Sequence, residues 1–148
     1  MELDIWEFII KISAAAFSGA LMGLEREFKG KPAGLKTYSL VALGAATFII
    51  ISLLFESSDS TDMTRIVGQV VVGVGFLGAG VILHDKNSSI VKGLATSATI
   101  WCSAAAGCLA GFGLYFPLLA FTIFVILINL IFGYLNDKLN GKANKDDQ

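Results

Sequence analysis

The stretch LYFPLLAFTIFVILINLIFGYL, residues 114–135, contains no charged residue. A helix crossing the hydrocarbon core of a bilayer needs about 20 consecutive apolar residues, so this block has the length and character of one transmembrane span. Immediately before it stands Gly111-Phe112-Gly113, where two glycines permit a tight turn. Before that turn lies a second apolar block, residues 93–111. Merged, the two would make a span of roughly 40 residues, about twice what a bilayer needs, so two antiparallel helices are expected. Outward from this pair, three further apolar blocks occupy residues 5–24, 37–55 and 66–83. The predicted architecture is an all-α polytopic membrane protein, a bundle of five spans over residues 1–135. A short polar tail, residues 136–148, is expected to be solvated and mostly disordered.

Composition agrees. Of 148 residues, 55% are hydrophobic and 16% charged, against roughly 25% charged in a soluble domain. The formal net charge of −1 gives no bulk attraction to nucleic acid. With one histidine, and with Cys102 and Cys108 six residues apart on different faces of one helix, neither a disulfide nor a zinc site is expected. The first residues are acidic, unlike the basic start of a signal peptide, so the first block is read as a retained span.

The segments between blocks alternate in charge. Arg26, Lys29, Lys31 and Lys36 follow the first block, Lys86 and Lys92 the third, and Lys138, Lys142 and Lys145 the fifth. Glu56, Asp59 and Asp62 follow the second, with Arg65 at the edge of the third. Under the positive-inside rule this pattern predicts an external N-terminus and an internal C-terminus.

Small residues mark where helices approach. Gly19…Gly23 and Gly107…Gly111 are GxxxG pairs, which in lipid act through close backbone packing. They are read as packing within one subunit, with a homodimer seam as the sharper alternative. The third span, GQVVVGVGFLGAG at 68–80, places Gly68, Val72, Gly75 and Ala79 on one stripe and Gln69, Gly73, Phe76 and Gly80 on the next. The favoured reading is a flat, central helix against which the others pack. The alternative is a helix broken near Gly75–Gly80 that exposes carbonyls to an ion. In the fourth span Thr96, Thr99, Ser103, Gly107 and Ala110 share one face, with Trp101 on the other. Lys11 lies four residues after Glu7, the favourable order for an intrahelical ion pair. Asn129 is expected to bond a neighbouring helix.

The richest loop is the first basic one. Glu25 falls near a helix C-terminus, where the dipole disfavours an acid, so it is expected to have a fixed cationic partner: Arg26, Lys31 or a lysine of the next basic loop. Glu25 and Glu27, with Asp85 from that next loop, are the acids a divalent ion would use. Residues two apart do not face each other on a helix, and a hard cation needs several converging oxygens, so no metal site and no cofactor is assigned. Gly30, Pro32 and Gly34 point to a defined turn.

Three motifs carry a family resemblance: GLEREFKGKPAGLKT at 23–37, GFLGAGVIL at 75–83 and GLATSATIWCS at 93–103. With the five-span plan, they make nearly the whole chain resemble the MgtC/SapB family of bacterial membrane proteins. That resemblance implies a multi-pass protein of the bacterial inner (plasma) membrane, linked to magnesium homeostasis, growth in low magnesium and, in pathogens, virulence through survival in macrophages. It implies a modulator of another membrane protein, the proton-translocating ATP synthase among them, more than a transporter. By motif, Glu25, Arg26, Lys31, Pro32, Gly34, Gly75, Gly78, Gly80, Thr96, Thr99, Trp101 and Cys102 are the candidate functional positions. The family often has Asn or Thr where this chain has Ala95. Longer members carry a soluble, ACT-like C-terminal domain, and this chain reads as a short form without it.

Three functions compete. A non-enzymatic modulator suits the small-residue faces and the compact basic loop. A transporter or channel for magnesium or another small solute suits the glycine-rich spans and Lys11, but no row of acids lines a path. An intramembrane enzyme would need a Ser/His, Ser/Lys or paired-carboxylate arrangement at helical spacing, and none is evident; His84 and Asp85 are adjacent and would point apart.

Overall fold

A computed structural model describes residues 4–55, 63–84 and 91–146. Five helices follow one another: α1 (Ile5–Phe28), α2 (Leu35–Leu54), α3 (Met63–Val81), α4 (Leu94–Gly111) and α5 (Tyr115–Asp146). All five have a stretch long and apolar enough to cross a membrane. Between α3 and α4, a two-residue ladder pairs β1 (Leu83–His84) with β2 (Val91–Lys92) antiparallel, in the register Leu83↔Lys92.

Local chemistry sets the helix ends. The Asp4 carboxylate accepts from Trp6 N–H at 3.0 Å and caps the start of α1. At its other end, Gly30 adopts φ +58°, and Lys31 N–H and Gly30 N–H donate to the carbonyls of Arg26 and Glu27, each at 3.0 Å. This six-to-one and five-to-two pairing closes the last turn and needs a left-handed residue between helix and loop. The same arrangement ends α4, with Gly113 at φ +74° and Leu114 N–H donating to Leu109 O at 2.9 Å. Pro117 then falls in the first turn of α5, where its missing N–H costs no helical bond.

α5 is 32 residues long, about 48 Å at 1.5 Å per residue, against a hydrocarbon core of about 30 Å. The expected break at Leu135 is therefore absent, and helix continues through the polar segment to Asp146. Adding residues to an existing helix requires no new nucleus, which lets a polar sequence of ordinary propensity follow an apolar one.

Packing centres on α2, not on α3. A Cβ added at Gly19 would lie 2.5 Å from Tyr38 O, and one at Gly23 would lie 2.9 Å from Leu35 Cα, so this GxxxG pair seats α1 on α2. A Cβ at Gly107 would strike the Ala42 carbonyl, and one at Gly111 would lie 2.8 Å from Ala46 O, so the second pair seats α4 farther along the same stripe of α2, beside α1. Both motifs are thus used inside one chain. The core between these helices is built largely of alanine: Ala15, Ala42, Ala46, Ala106 and Ala110, with Met22 among them.

The expectation of a central third helix is overturned. α3 is unbroken but peripheral, and among its described side chains only Val74 and Gly78 are buried. Gly78 faces Ser97 of α4, whereas a Cβ added at Gly68, Gly73, Gly75 or Gly80 would meet nothing within 4 Å. Glycine density reports how closely a face could be approached, not that a neighbour occupies it. Elsewhere the bundle exposes large apolar side chains on every helix, including Phe76 at 83% and Phe116 at 82%. Such continuous apolar exterior is far beyond what a water-soluble monomer presents and identifies lipid as the surrounding solvent.

Candidate functional site

The charged loop of α1 folds back into the bundle. Arg26, on the last turn of α1, is only 7% exposed. Its guanidinium Nη2 donates to Asn129 Oδ1 of α5 at 2.5 Å and to Thr99 Oγ1 of α4 at 3.4 Å. The Thr99 hydroxyl in turn lies 2.8 Å from Ala95 O, an acceptor for its proton one turn earlier in α4. One arginine thereby ties three helices together, and it brings the α1–α2 loop, the start of α4 and the second half of α5 to the same end of the bundle.

Glu25 supplies the counter-charge. Its Oε2 lies 3.3 Å from Arg26 Nε, and its Oε1 pairs with Lys29 Nζ at 2.7 Å, one turn on. Oε2 and Nε are both buried and neither has a hydrogen-bond partner, so their contact is ionic without hydrogen-bond geometry. The acid near the helix C-terminus has its fixed cations, Arg26 and Lys29; among the described residues neither Lys31 nor Lys92 pairs with it. Lys29 reaches α5 as well: a Cβ at Gly133 would lie 2.7 Å from its Nζ. Beside this cluster opens a cleft of about 690 Å³ whose walls include Glu25, Arg26, Lys29, Lys31, Ala95 and Asn129.

A second polar group fixes α2 against α4. Tyr38 is fully buried, its hydroxyl donates to Thr96 O at 3.2 Å, and its own carbonyl accepts from Ser103 Oγ at 2.6 Å. Glu27 has a different task. Its Oε2 accepts from Leu35 N–H at 3.1 Å and caps α2, whose N-cap residue Gly34 has no side chain to do so. A Cβ on Gly34 would collide with that carboxylate.

The MgtC family model matches residues 12–138. The chain belongs to the MgtC family. Protein MgtC of Brucella abortus (strain 2308) is 48% identical over 120 residues, covering 81% of this chain and 49% of that protein. Protein MgtC of Salmonella typhimurium (strain LT2) is 43% identical over 136 residues, covering 92% of this chain and 57% of that protein. The chain spans about half the length of the curated relatives it matches. No solved structure matches it.

The motif positions of this MgtC-family chain fall into separate places. Glu25, Arg26 and Thr99 meet directly, with Lys31 on the cleft wall and Thr96 close by through Tyr38. Gly34, joined by Glu27, sets the α1–α2 turn, which also contains Pro32. Trp101 is half-exposed on the outer side of α4, and Cys102 is partly buried against the alanine core. Gly75 and Gly80 are open, and Gly78 is packed. Glu25 and Glu27 are each engaged by separate protein partners; Asp85 and Lys86 lie outside the described residues. Ala95 is on the cleft wall, so the polar side chain that the family often carries there would face Arg26 and its surroundings. Lys29 and Tyr38 were not singled out by sequence. The i, i+4 spacing of Glu25 and Lys29 was the available signal for the first; a lone tyrosine near the start of an apolar block gave none for the second. Lys11 pairs with Glu7 at 2.6 Å, as the spacing predicts, and Asn129 bonds a neighbouring helix.

Proposed function

We propose that this MgtC-family chain is a non-enzymatic modulator that acts by docking against another membrane protein. The observation that carries this is the open glycines of α3: Gly68 and Gly75 on one stripe and Gly73 and Gly80 on the next make room for a backbone, and no described residue fills it. Each glycine in a helix interior costs about 1 kcal/mol relative to alanine. In α1 and α4 that cost is offset by close helix crossings; in α3 it is offset only if another helix arrives, since small-residue faces are the usual means of association in lipid. Gln69 and Gly73 border the apolar groove between α3 and α2, adding one amide for interhelical bonding.

By family resemblance the setting is the bacterial inner membrane, with a link to magnesium homeostasis, low-magnesium growth and virulence, and the proton-translocating ATP synthase is one candidate partner. The positive charge of the basic loops favours the cytoplasmic side for the Arg26 end. The competing reading, a carrier for magnesium or another small solute, requires a cation to pass this end, where buried Arg26 opposes it electrostatically. The deciding experiment pairs two measurements. Liposomes containing only this protein should show no magnesium flux above empty vesicles. Gly75→Leu should keep wild-type abundance and thermal stability yet fail to restore low-magnesium growth to a deletion strain. Flux from the purified protein, or full growth with Gly75→Leu, overturns the reading.

A further inference from the structure

The cleft beside Arg26 has features that neither helix packing nor partner docking at α3 accounts for. Three cations, Arg26, Lys29 and Lys31, and one carboxylate, Glu25, stand on its walls. Glu25 is held between Arg26 and Lys29, at 3.3 Å and 2.7 Å, and cannot neutralise both while also answering Lys31. Among the described residues no acid pairs with Lys31, and the other acid of this loop, Glu27, is committed to the start of α2. Lys29 spends one of its three ammonium donors on Glu25. The side of α5 that faces it carries glycine at 133, which leaves the ammonium room to lie against the helix backbone.

Apart from the amides of Asn129 and Asn136, the remaining wall is apolar. Ile128, Phe132, Leu135 and Leu139 follow one another at i, i+4, i+7 and i+11 and so share one stripe of α5, all four are exposed, and Ile128 and Phe132 lie on its core side, within the apolar span. The cleft therefore joins an excess of positive charge to an apolar strip. It sits where α5 passes from its apolar span to its polar end, the depth at which a bilayer presents headgroups.

We propose that this cleft binds an acidic glycerophospholipid, with its phosphodiester on Lys29 and Lys31 in the field of Arg26 and one acyl chain running toward the bilayer core along Phe132 and Ile128. Basic pockets between helices at a membrane surface take anionic headgroups in this manner. A free phosphate shares the charge chemistry but makes no use of the apolar stripe, and that difference separates the two sources.

The test uses native mass spectrometry of the full chain in micelles titrated with phosphatidylglycerol or phosphatidylcholine. Phosphatidylglycerol should be retained in preference to phosphatidylcholine. Lys31→Gln should weaken its retention about fivefold, the effect of roughly one surface charge on an anionic lipid, and Lys31→Arg should restore it. Lys36→Gln, at an exposed lysine in the first turn of α2 that is not on the cleft wall, should leave retention unchanged. Thermal unfolding in phosphatidylcholine micelles checks that Lys31→Gln is folded. Equal retention of the two lipids overturns the proposal. So does an equal loss with Lys36→Gln, which would leave only bulk surface charge. Displacement of phosphatidylglycerol by millimolar sn-glycerol 3-phosphate overturns the lipid assignment in favour of a soluble phosphate ester.

Discussion

Replacing Asn129 with leucine removes an acceptor from a buried cation while keeping side-chain size. Arg26 is 7% exposed, and its Nη2 donates to Asn129 Oδ1 at 2.5 Å. A hydrogen bond to a charged group contributes about 1.5–3 kcal/mol. Neutral interhelical bonds in a membrane average nearer ~0.6 kcal/mol, because the unfolded helices find other partners. Here the donor carries full charge, and the alternative acceptor, Thr99 Oγ1, is 3.4 Å away. That hydroxyl can turn its lone pairs to the arginine because its proton goes to Ala95 O, so it recovers part of the loss. The expected destabilisation for Asn129→Leu is about 1.5–2 kcal/mol. Thr99→Val, acting on the longer contact, should cost less than about 1 kcal/mol. Reversible unfolding in mixed micelles measures both. A double-mutant cycle isolates the pair: in an Arg26→Met background no guanidinium remains to satisfy, so Asn129→Leu should cost almost nothing. If Asn129→Leu lies within about 0.5 kcal/mol of wild type, or costs the same with and without Arg26, the arginine is not held by Asn129 and the three-helix tie is wrong.

Three further outcomes are expected. Gly107→Ala drives a methyl into the Ala42 backbone, which cannot swing aside, and should destabilise by about 1–3 kcal/mol, whereas Gly75→Ala meets open space and should be neutral or stabilising by up to about 1 kcal/mol; unfolding of the two variants side by side checks the contrast. Gly34→Ala should displace the Glu27 carboxylate from Leu35 N–H and lower stability by about 1 kcal/mol, and combining it with Glu27→Ala should add little, since both remove the same cap. For orientation, in a background with Cys102 and Cys108 replaced, a cysteine at Ser58 should label from outside intact cells and one at Ala143 only after permeabilisation. Labelling of both from one side contradicts the five-span topology.

The five spans were legible because bilayer thickness sets a length and lipid demands an apolar surface, and both are one-dimensional properties of a sequence. The order of packing was not. Residues 68–80 hold five glycines, yet α3 is peripheral and α2, whose close approaches run through Tyr38, Ala42 and Ala46, is the helix on which α1 and α4 sit. A glycine enables a crossing only when a partner backbone is present, and the partner surface at Ala42 and Ala46 has the same four-residue spacing but is built of alanine, a weaker signal than glycine. The helix beyond Leu135 was missed for a related reason: polar composition reports solvation, and a solvated segment can still extend a helix already formed.

At the site, local electrostatics could be read from sequence and long-range partners could not. An acid near the end of α1 demanded a cation, and the helical spacing to Lys29 was sufficient to supply one. Arg26 could be credited with topology, with pairing to Glu25 and with a motif position, but not with joining three helices, because Thr99 and Asn129 lie 73 and 103 residues away along the chain and nothing local announces them. Once they are known, the loop's composition has a physical division of labour. Glu25 offsets buried Arg26, Glu27 and Gly34 start α2, Gly30 ends α1, and Lys31 is the cation left without a structural task among the described residues. Positive-inside topology accounts for a lysine somewhere in this loop, but not for one on the wall of a cleft that already holds Arg26 and Lys29. That excess of like charge is unfavourable to the isolated chain, and an anion from the surrounding membrane relieves it.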